Sequence, residues 1–187
     1  MHNIQINEWI HEFIKKQVQP GDLCIDATMG NGNDTLLLSQ LCGNEGTVLA
    51  FDIQFDALLH TMKYLGENNA PANYRLLHES HEMLEKHADP QSASCIVFNL
   101  GYLPGGDHTI ATKSESSIKA MESALSILKK GGLMCVSIYS GQNSGFSERD
   151  DVLNWLKNLN SKKYLVIKSD YYNRPNNPPI PVLVVKL

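Results

Sequence analysis

Leu23-Cys24-Ile25-Asp26-Ala27-Thr28-Met29-Gly30-Asn31-Gly32-Asn33-Asp34 decides the fold. An apolar run with strand character ends in an acid and passes into a glycine turn, and helical spacing follows. Gly30 and Gly32 lack Cβ, so the backbone turns sharply there and a ligand can come close. The first turn of the next helix adds unpaired N–H donors and a partial positive charge. As a G-x-G-x-x-G fingerprint the stretch fails, because Thr35 stands at the third glycine position. Working outward, Thr47-Val48-Leu49-Ala50-Phe51-Asp52 is a second apolar run that ends in an acid. That acid falls roughly 20 residues beyond the glycines, where a carboxylate accepts from ribose hydroxyls.

The two acids narrow the ligand. Phosphate groups would be repelled by a carboxylate at Asp26, whereas an ammonium is attracted. S-adenosylmethionine, with its amino-acid end and sulfonium, suits this turn. A dinucleotide held as in Rossmann proteins does not, and the missing third glycine speaks against it too.

The rest of the chain alternates. Ile6, Trp9, Ile10, Phe13, Ile14 and Val18 keep helical spacing, and Pro20-Gly21 ends that helix. Strand one is read as Leu23 to Ala27. Asn33 is expected to cap a helix through Thr35, Leu36, Leu37, Leu38 and Leu41 that stops near Gly43. Strand two is Thr47 to Asp52, followed by a helix over about 55–65 and a short strand from Tyr74 to Leu77. Strand four runs Ser94 to Asn99. Thr112 and Glu115 predict a capping box for a helix with Ile118, Met121, Leu125 and Leu128 on one face, ended by Gly131-Gly132. Strand five is Leu133 to Tyr139, and Ser147 is expected to cap a helix carrying Val152, Leu156 and Leu159. Two strands close the chain, Tyr164 to Ser169 and Pro181 to Leu187. Alternation of this kind predicts an α/β, doubly wound, seven-stranded and mostly parallel sheet. The helix-free link before the last strand makes that strand antiparallel. This is the outline of class I methyltransferases.

At 187 residues the chain is expected to be one domain over 1–187, long enough to bury a full α/β core. No apolar run approaches the ~20 residues that span a bilayer. The N-terminus lacks the charged and apolar regions of a signal peptide. Cys24, Cys42, Cys95 and Cys135 form no C-x-x-C pair, which predicts reduced buried thiols and a cytoplasmic protein. A net charge of −4 does not announce a nucleic-acid binder, though local patches outweigh the total. Lys15-Lys16, Lys129-Lys130 and Lys162-Lys163 read as solvated helix ends.

A second site follows strand four at Asn99-Leu100-Gly101-Tyr102-Leu103-Pro104-Gly105-Gly106-Asp107. Ligands of doubly wound sheets bind beyond the carboxyl ends of the strands, near the switch point between strands one and four. Asn99 is therefore expected to face the cofactor turn, its carbonyl able to accept from an amine. Tyr102 offers a flat face for a base. His78 and His81 are three apart, but with no third ligand evident no metal is expected; Ser80, His81 and Glu82 are read as lining an adenine pocket. His11 is placed on the polar side of the first helix, at the surface by default, with a lid over the cofactor as the lesser reading. Tyr171-Tyr172-Asn173-Arg174 sits on the same sheet edge as the active face.

The turn Asp26 to Asp34, the loop Phe98 to Asp107 and the tail Asn176-Asn177-Pro178-Pro179 together resemble one family. It is the small bacterial class I S-adenosylmethionine-dependent methyltransferases long labelled rRNA methylases. Its characterised members methylate the aminomethyl group of 5-aminomethyl-2-thiouridine at the tRNA wobble position. The resemblance runs nearly end to end. It implies that Asp26, Thr28, Gly30, Asn31, Gly32, Asn33, Asp34 and Thr35 hold S-adenosylmethionine together with Asp52, Ile53, Gln54, Ser80, His81 and Asn99. It implies a catalytic wall of Asn99, Leu100, Gly101 and Tyr102, with Tyr139 and Phe146 as further stacking partners. The implied macromolecular partner is a tRNA anticodon stem-loop, with no membrane, and a homodimer is left open. Where the family pattern leads one to expect a histidine beside the glycine after strand five, this chain has Ser140-Gly141-Gln142. The alternative expectation is a methyltransferase of rRNA or a small metabolite. A scaffold without activity is disfavoured by the intact Asp26, Asp52 and Asn99.

Overall fold

A computed structural model describes residues 6–101, 112–139, 145–174 and 178–187. The elements run α1 (Ile6–Gln17), β1 (Leu23–Asp26), α2 (Asn33–Cys42), β2 (Thr47–Asp52), α3 (Phe55–Glu67), β3 (Tyr74–His78), a 3-10 turn (His81–Lys86) and β4 (Ala93–Leu100). Then follow α4 (Ser114–Ile127), β5 (Leu128–Ile138), α5 (Gly145–Lys157), β6 (Tyr164–Lys168) and β7 (Ile180–Lys186). One seven-stranded sheet has the order β3-β2-β1-β4-β5-β7-β6. The pairs from β3 through to β5 are parallel. β7 is antiparallel to both β5 and β6.

The central strands are near-continuous apolar runs because both faces of the sheet are covered. Strand alternation divides their side chains between the two faces. Ile25, Ile96, Phe98 and Val136 pack with Met121, Leu125, Val152 and Leu156 of α4 and α5. Cys24, Cys95, Val97 and Cys135 pack with Ile10 and Ile14 of α1 and Leu38 and Cys42 of α2. Each fully buried aliphatic or aromatic side chain contributes about 1.5–3 kcal/mol. All four cysteines are free and lie in the second of these clusters. The neighbouring Cys42 thiol and burial together push the Cys24 thiol above its ordinary range.

Several expected helix ends lie elsewhere. Asn33 is the first helical residue of α2 rather than its cap; Gly32 occupies the cap position at φ +85° with no capping side chain. Thr112 and Glu115 form no capping box. Lys113 stands at the cap of α4, and the Thr112 hydroxyl instead serves Glu148 and Gly101. Gly131-Gly132 does not end α4, which stops at Ile127, and both glycines lie inside β5 beside a register shift. The ammonium of Lys186, arriving from β7, donates to the carbonyls of Leu125 (2.7 Å) and Leu128 (2.6 Å), so a cation secures this helix end. Ser147 lies inside α5, already begun at Gly145, and Leu159 falls beyond its end. Lys129 is no helix end either; it pairs with Asp22 at 2.7 Å.

Candidate functional site

A cavity of about 560 Å³ opens at the carboxyl ends of β1, β2 and β4, where the strand order reverses. Its first wall is the glycine turn. Gly30 and Gly32 adopt φ +49° and +85°. A Cβ on Gly32 would stand 3.1 Å from Thr61, so small size is required there as well as backbone freedom. The turn is pinned by Gly30 N–H donating to Asp52 Oδ2 (3.0 Å), Met29 N–H to Phe51 O (2.8 Å) and the Thr61 hydroxyl to Gly30 O (3.0 Å). Asp52 also accepts from Gln54 N–H through Oδ1 (2.9 Å). Each carboxylate oxygen therefore keeps capacity for a further donor.

Thr28, Gly30, Asn31, Asn33, Asp34, Asp52, Ile53, Gln54, Ser80, His81, Asn99 and Gly101 line this cavity. Asp26, Gly32, Thr35 and Leu100 are not among the lining residues. Asp26 is completely buried, and its oxygens accept from Thr28 N–H (3.2 Å) and the Thr35 hydroxyl (2.6 Å). Burial first, then the Asp34 carboxylate, push its pKa up to about 7, against the opposing pull of those two donors. Asp26 thus braces the start of α2 from behind the cavity wall. The strand-end position was legible in the sequence; the direction of the side chain was not. Tyr102, the glycines at 105 and 106, Ser140-Gly141-Gln142 and the side chain of Phe146 lie outside the described residues.

On the side below β3, the Ser80 hydroxyl accepts from Glu82 N–H (3.2 Å) and so opens the 3-10 turn. His81 packs edge-on against Phe98 at 6.0 Å between ring centroids. Burial lowers its pKa, which favours the neutral imidazole. His78 bonds separately to Ile53 O (2.9 Å). Among the described residues no group of three His, Cys, Asp or Glu side chains could hold a metal ion.

The wall after β4 is held from several directions. Asn99 N–H donates to the Thr28 hydroxyl oxygen (2.7 Å), which binds the end of β4 to the end of β1. Asn99 Nδ2 donates to Asp34 Oδ2 (2.7 Å), and His11 Nε2 meets Asp34 Oδ1 at 2.6 Å. Gly101, at φ +152°, donates its N–H to the Thr112 hydroxyl oxygen (2.8 Å). A Cβ there would press on the Tyr139 Cβ at 3.0 Å. The Thr112 and Ser117 hydroxyls in turn donate to the two oxygens of buried Glu148 (2.9 and 2.8 Å). Sequence reasoning missed Thr112, Lys113 and Ser116 as lining residues and Glu148 as the support of Thr112. It also left His11 on the surface. The contacts that place Thr112 and His11 span 11 to 36 residues, beyond the reach of local pattern.

Among the described residues that line the cavity are three carboxylates, Asp34, Asp52 and Glu82, and one ammonium, Lys113. Glu82 is paired with Lys119 at 3.0 Å. A smaller cavity of about 280 Å³ lies by Arg149, Tyr171, Tyr172, Pro178 and Ile180. There the Arg174 guanidinium sits 4.8 Å from the Tyr171 ring centre, and Tyr172 is fully exposed.

The family model described as "Putative rRNA methylase" matches residues 48–185. The chain is 35% identical over 184 residues to the chloroplastic tRNA (mnm(5)s(2)U34)-methyltransferase of Arabidopsis thaliana, covering 91% of this chain. It spans 66% of that relative, just under two thirds of its length. The structure of a "putative rRNA-methylase" from Clostridium thermocellum superimposes with TM-score 0.95 at 40% identity, covering 100% of both chains. A "putative methyltransferase" from Streptococcus mutans, solved in complex with SAH, gives TM-score 0.88 at 34% identity, again with 100% of both chains covered.

Proposed function

This chain belongs to the family described as "Putative rRNA methylase", and from that premise we propose that it is an S-adenosylmethionine-dependent methyltransferase of tRNA. Its acceptor is the aminomethyl nitrogen of 5-aminomethyl-2-thiouridine at the wobble position. The observation that carries the reading is the charge of the cavity. Among the described lining residues, the carboxylates of Asp34 and Asp52, with Glu82 paired to Lys119, stand against Lys113, a balance that favours a cationic cofactor and an amine over a pyrophosphate. The relative from Arabidopsis, with its wobble-uridine name, and the SAH complex from Streptococcus mutans support the same reading.

The residues present fit the cofactor. The turn from Thr28 to Asp34 and the free capacity of Asp52 would hold its amino-acid end and its ribose. Ile53, Gln54, Ser80 and His81 would flank its base. When bound, S-adenosylmethionine supplies a methyl carbon activated by sulfonium. The protein's part is chiefly to position the amine, since near-attack geometry removes much of the barrier. An ammonium has no lone pair, so the amine enters neutral or loses its proton on binding. Asn99 Oδ1 accepts one amine hydrogen and aims the lone pair. Solvent takes the remaining proton. An unpaired wobble base can be splayed out and stacked, with Tyr139 and the Tyr171–Arg174 pair available at this end of the sheet.

Methyl transfer from labelled cofactor to two tRNA pools tests the reading. One pool comes from cells lacking this enzyme, the other is an unmodified transcript. Labelling of the first alone is expected, because uracil C5 is no nucleophile without covalent activation and the four cysteines are buried. Equal labelling of both pools overturns the wobble-amine acceptor, and labelling of ribosomal RNA alone overturns the tRNA reading and favours an rRNA substrate, which the family description also names.

A further inference from the structure

Helix α1 reaches the reaction wall through His11, a side chain that the reaction above leaves unused. His11 Nε2 lies 2.6 Å from Asp34 Oδ1, and Asn99 Nδ2 lies 2.7 Å from Asp34 Oδ2. The residues are 23 and 65 positions apart in sequence. An ionised carboxylate only accepts, so both neighbours must donate to it. That requirement places a proton on the imidazole Nε2. It also fixes the amide, whose NH₂ faces Asp34 and whose carbonyl oxygen is left to the cavity.

We infer that His11 is a positioning residue for methyl transfer: it orients the Asp34 carboxylate and thereby sets which end of the Asn99 amide an incoming amine meets. The inference rests on the cavity being the methyl-transfer site. The two amide orientations are not equivalent for that chemistry. A carbonyl accepts an amine hydrogen and turns the lone pair away from itself, whereas an NH₂ presented to the amine would hydrogen-bond the lone pair needed for attack. Asp34 tied at one oxygen only is free to turn about its side-chain bonds, and the amide turns with it. Tied at both oxygens, it is held between α1 and the end of β4. α1 is a firm support, because Ile10, Ile14 and Val18 are buried against the sheet. His11 belongs to neither apolar cluster, so its replacement removes no core side chain.

The experiment compares His11→Ala and His11→Gln with wild type in three measurements. The first is the single-turnover rate on tRNA with cofactor and tRNA saturating. The second is calorimetric affinity for S-adenosylhomocysteine. The third is the ¹H–¹⁵N signal of the Asn99 side-chain amide in the protein without ligand, assigned by its loss in Asn99→Ala. His11→Ala should slow transfer about tenfold or more, since small misplacement of a positioning group is expensive in rate. Affinity for S-adenosylhomocysteine should stay within about threefold, as expected for an interaction felt in the reaction step. The Asn99 amide signal should move. His11→Gln, which keeps a donor, should recover part of the rate and return the signal toward its wild-type position; it also serves should the alanine variant fold poorly. An unmoved Asn99 signal in both variants, or a loss of affinity as large as the loss of rate, overturns the inference. A moved signal in an enzyme whose wild type labels no tRNA pool leaves the His11 contact standing and removes the tRNA reading instead.

Discussion

The turn after β1 and the wall after β4 face each other across one cavity and are built in opposite ways. The turn is shaped by its own backbone: two left-handed glycines, a Met29 N–H on Phe51 O, and the Gly30 N–H on the neighbouring strand's terminal acid. The wall is shaped by side chains from far along the chain. Thr28, Asp34 and, through it, His11 hold Asn99 from one side. Thr112 and Glu148 hold Gly101 from the other. The difference separates binding from reaction. Backbone donors make a generic cradle that tolerates changes of side chain. A wall of converging side chains can be tuned one residue at a time, and it is also easy to break.

If that division is right, Asn99→Ala should have the largest effect on transfer, lowering the single-turnover rate about 100-fold with little change in tRNA affinity. A rate within about twofold of wild type would make Asn99 structural and blur the contrast between the two walls. Asp52→Ala should act on the other side of the division. It should weaken cofactor binding by about 1.5–3 kcal/mol through loss of charge-assisted hydrogen bonds, with the rate at saturation much less affected. Calorimetric titration checks it, and unchanged affinity would place the ribose elsewhere. Because Asp52 also anchors Gly30 and Gln54, Asp52→Asn separates charge from anchoring.

Thr112→Val should come next. It removes the group that joins Gly101 N–H to Glu148 and leaves a buried carboxylate short of a donor. A stability loss of about 1–3 kcal/mol is expected by denaturant titration, with a rate loss smaller than that of Asn99→Ala. Equal cofactor affinity in this variant would sharpen the distinction, since the wall would then have moved without the cradle.

Asp26→Asn should touch transfer least and show itself in the pH dependence of stability. The Asp26 carboxyl has its pKa raised from 3.8 to about 7 in the folded protein. A carboxyl raised on folding contributes stability that is complete below its unfolded pKa and is lost as pH rises through the folded value. The asparagine cannot ionise, so its melting temperature relative to wild type should climb between about pH 4 and about pH 8. A difference that stays flat across that range would mean Asp26 ionises at its ordinary pH behind the turn.

The same contrast explains what the sequence disclosed. β2 was read to its bounds, Thr47–Asp52, because apolar content and the flanking glycine and acid are local signals. The parallel sheet with its antiparallel finish followed from the order of elements. Helix ends were less legible, because distant groups compete for their termini. Thr112 looks like a cap until Glu148 is brought beside it, and Gly131-Gly132 looks like a stop until Lys186 arrives to secure Leu125 and Leu128. Of the site, the residues carried by motifs mostly reached the cavity. Asp26 and Thr35 turned toward each other instead, a matter of side-chain direction that spacing does not encode. His11 sat on a polar helix face, where nothing local distinguishes a surface histidine from one that meets an acid on the next helix.

The place of β7 in the sheet has a consequence for assembly. β6 touches the sheet only through β7, which lies between it and β5. On a growing chain β6 therefore emerges first but has no neighbour to join, and β5 presents an open, apolar edge from Leu133 to Ile138 until β7 is made. The pairing that closes that edge, Leu133 with Val185, joins residues far apart in sequence and is correspondingly slow to find. A nascent enzyme could thus have its cofactor cradle complete while still exposing a sticky strand, and any shortening beyond residue 179 would release two strands at once.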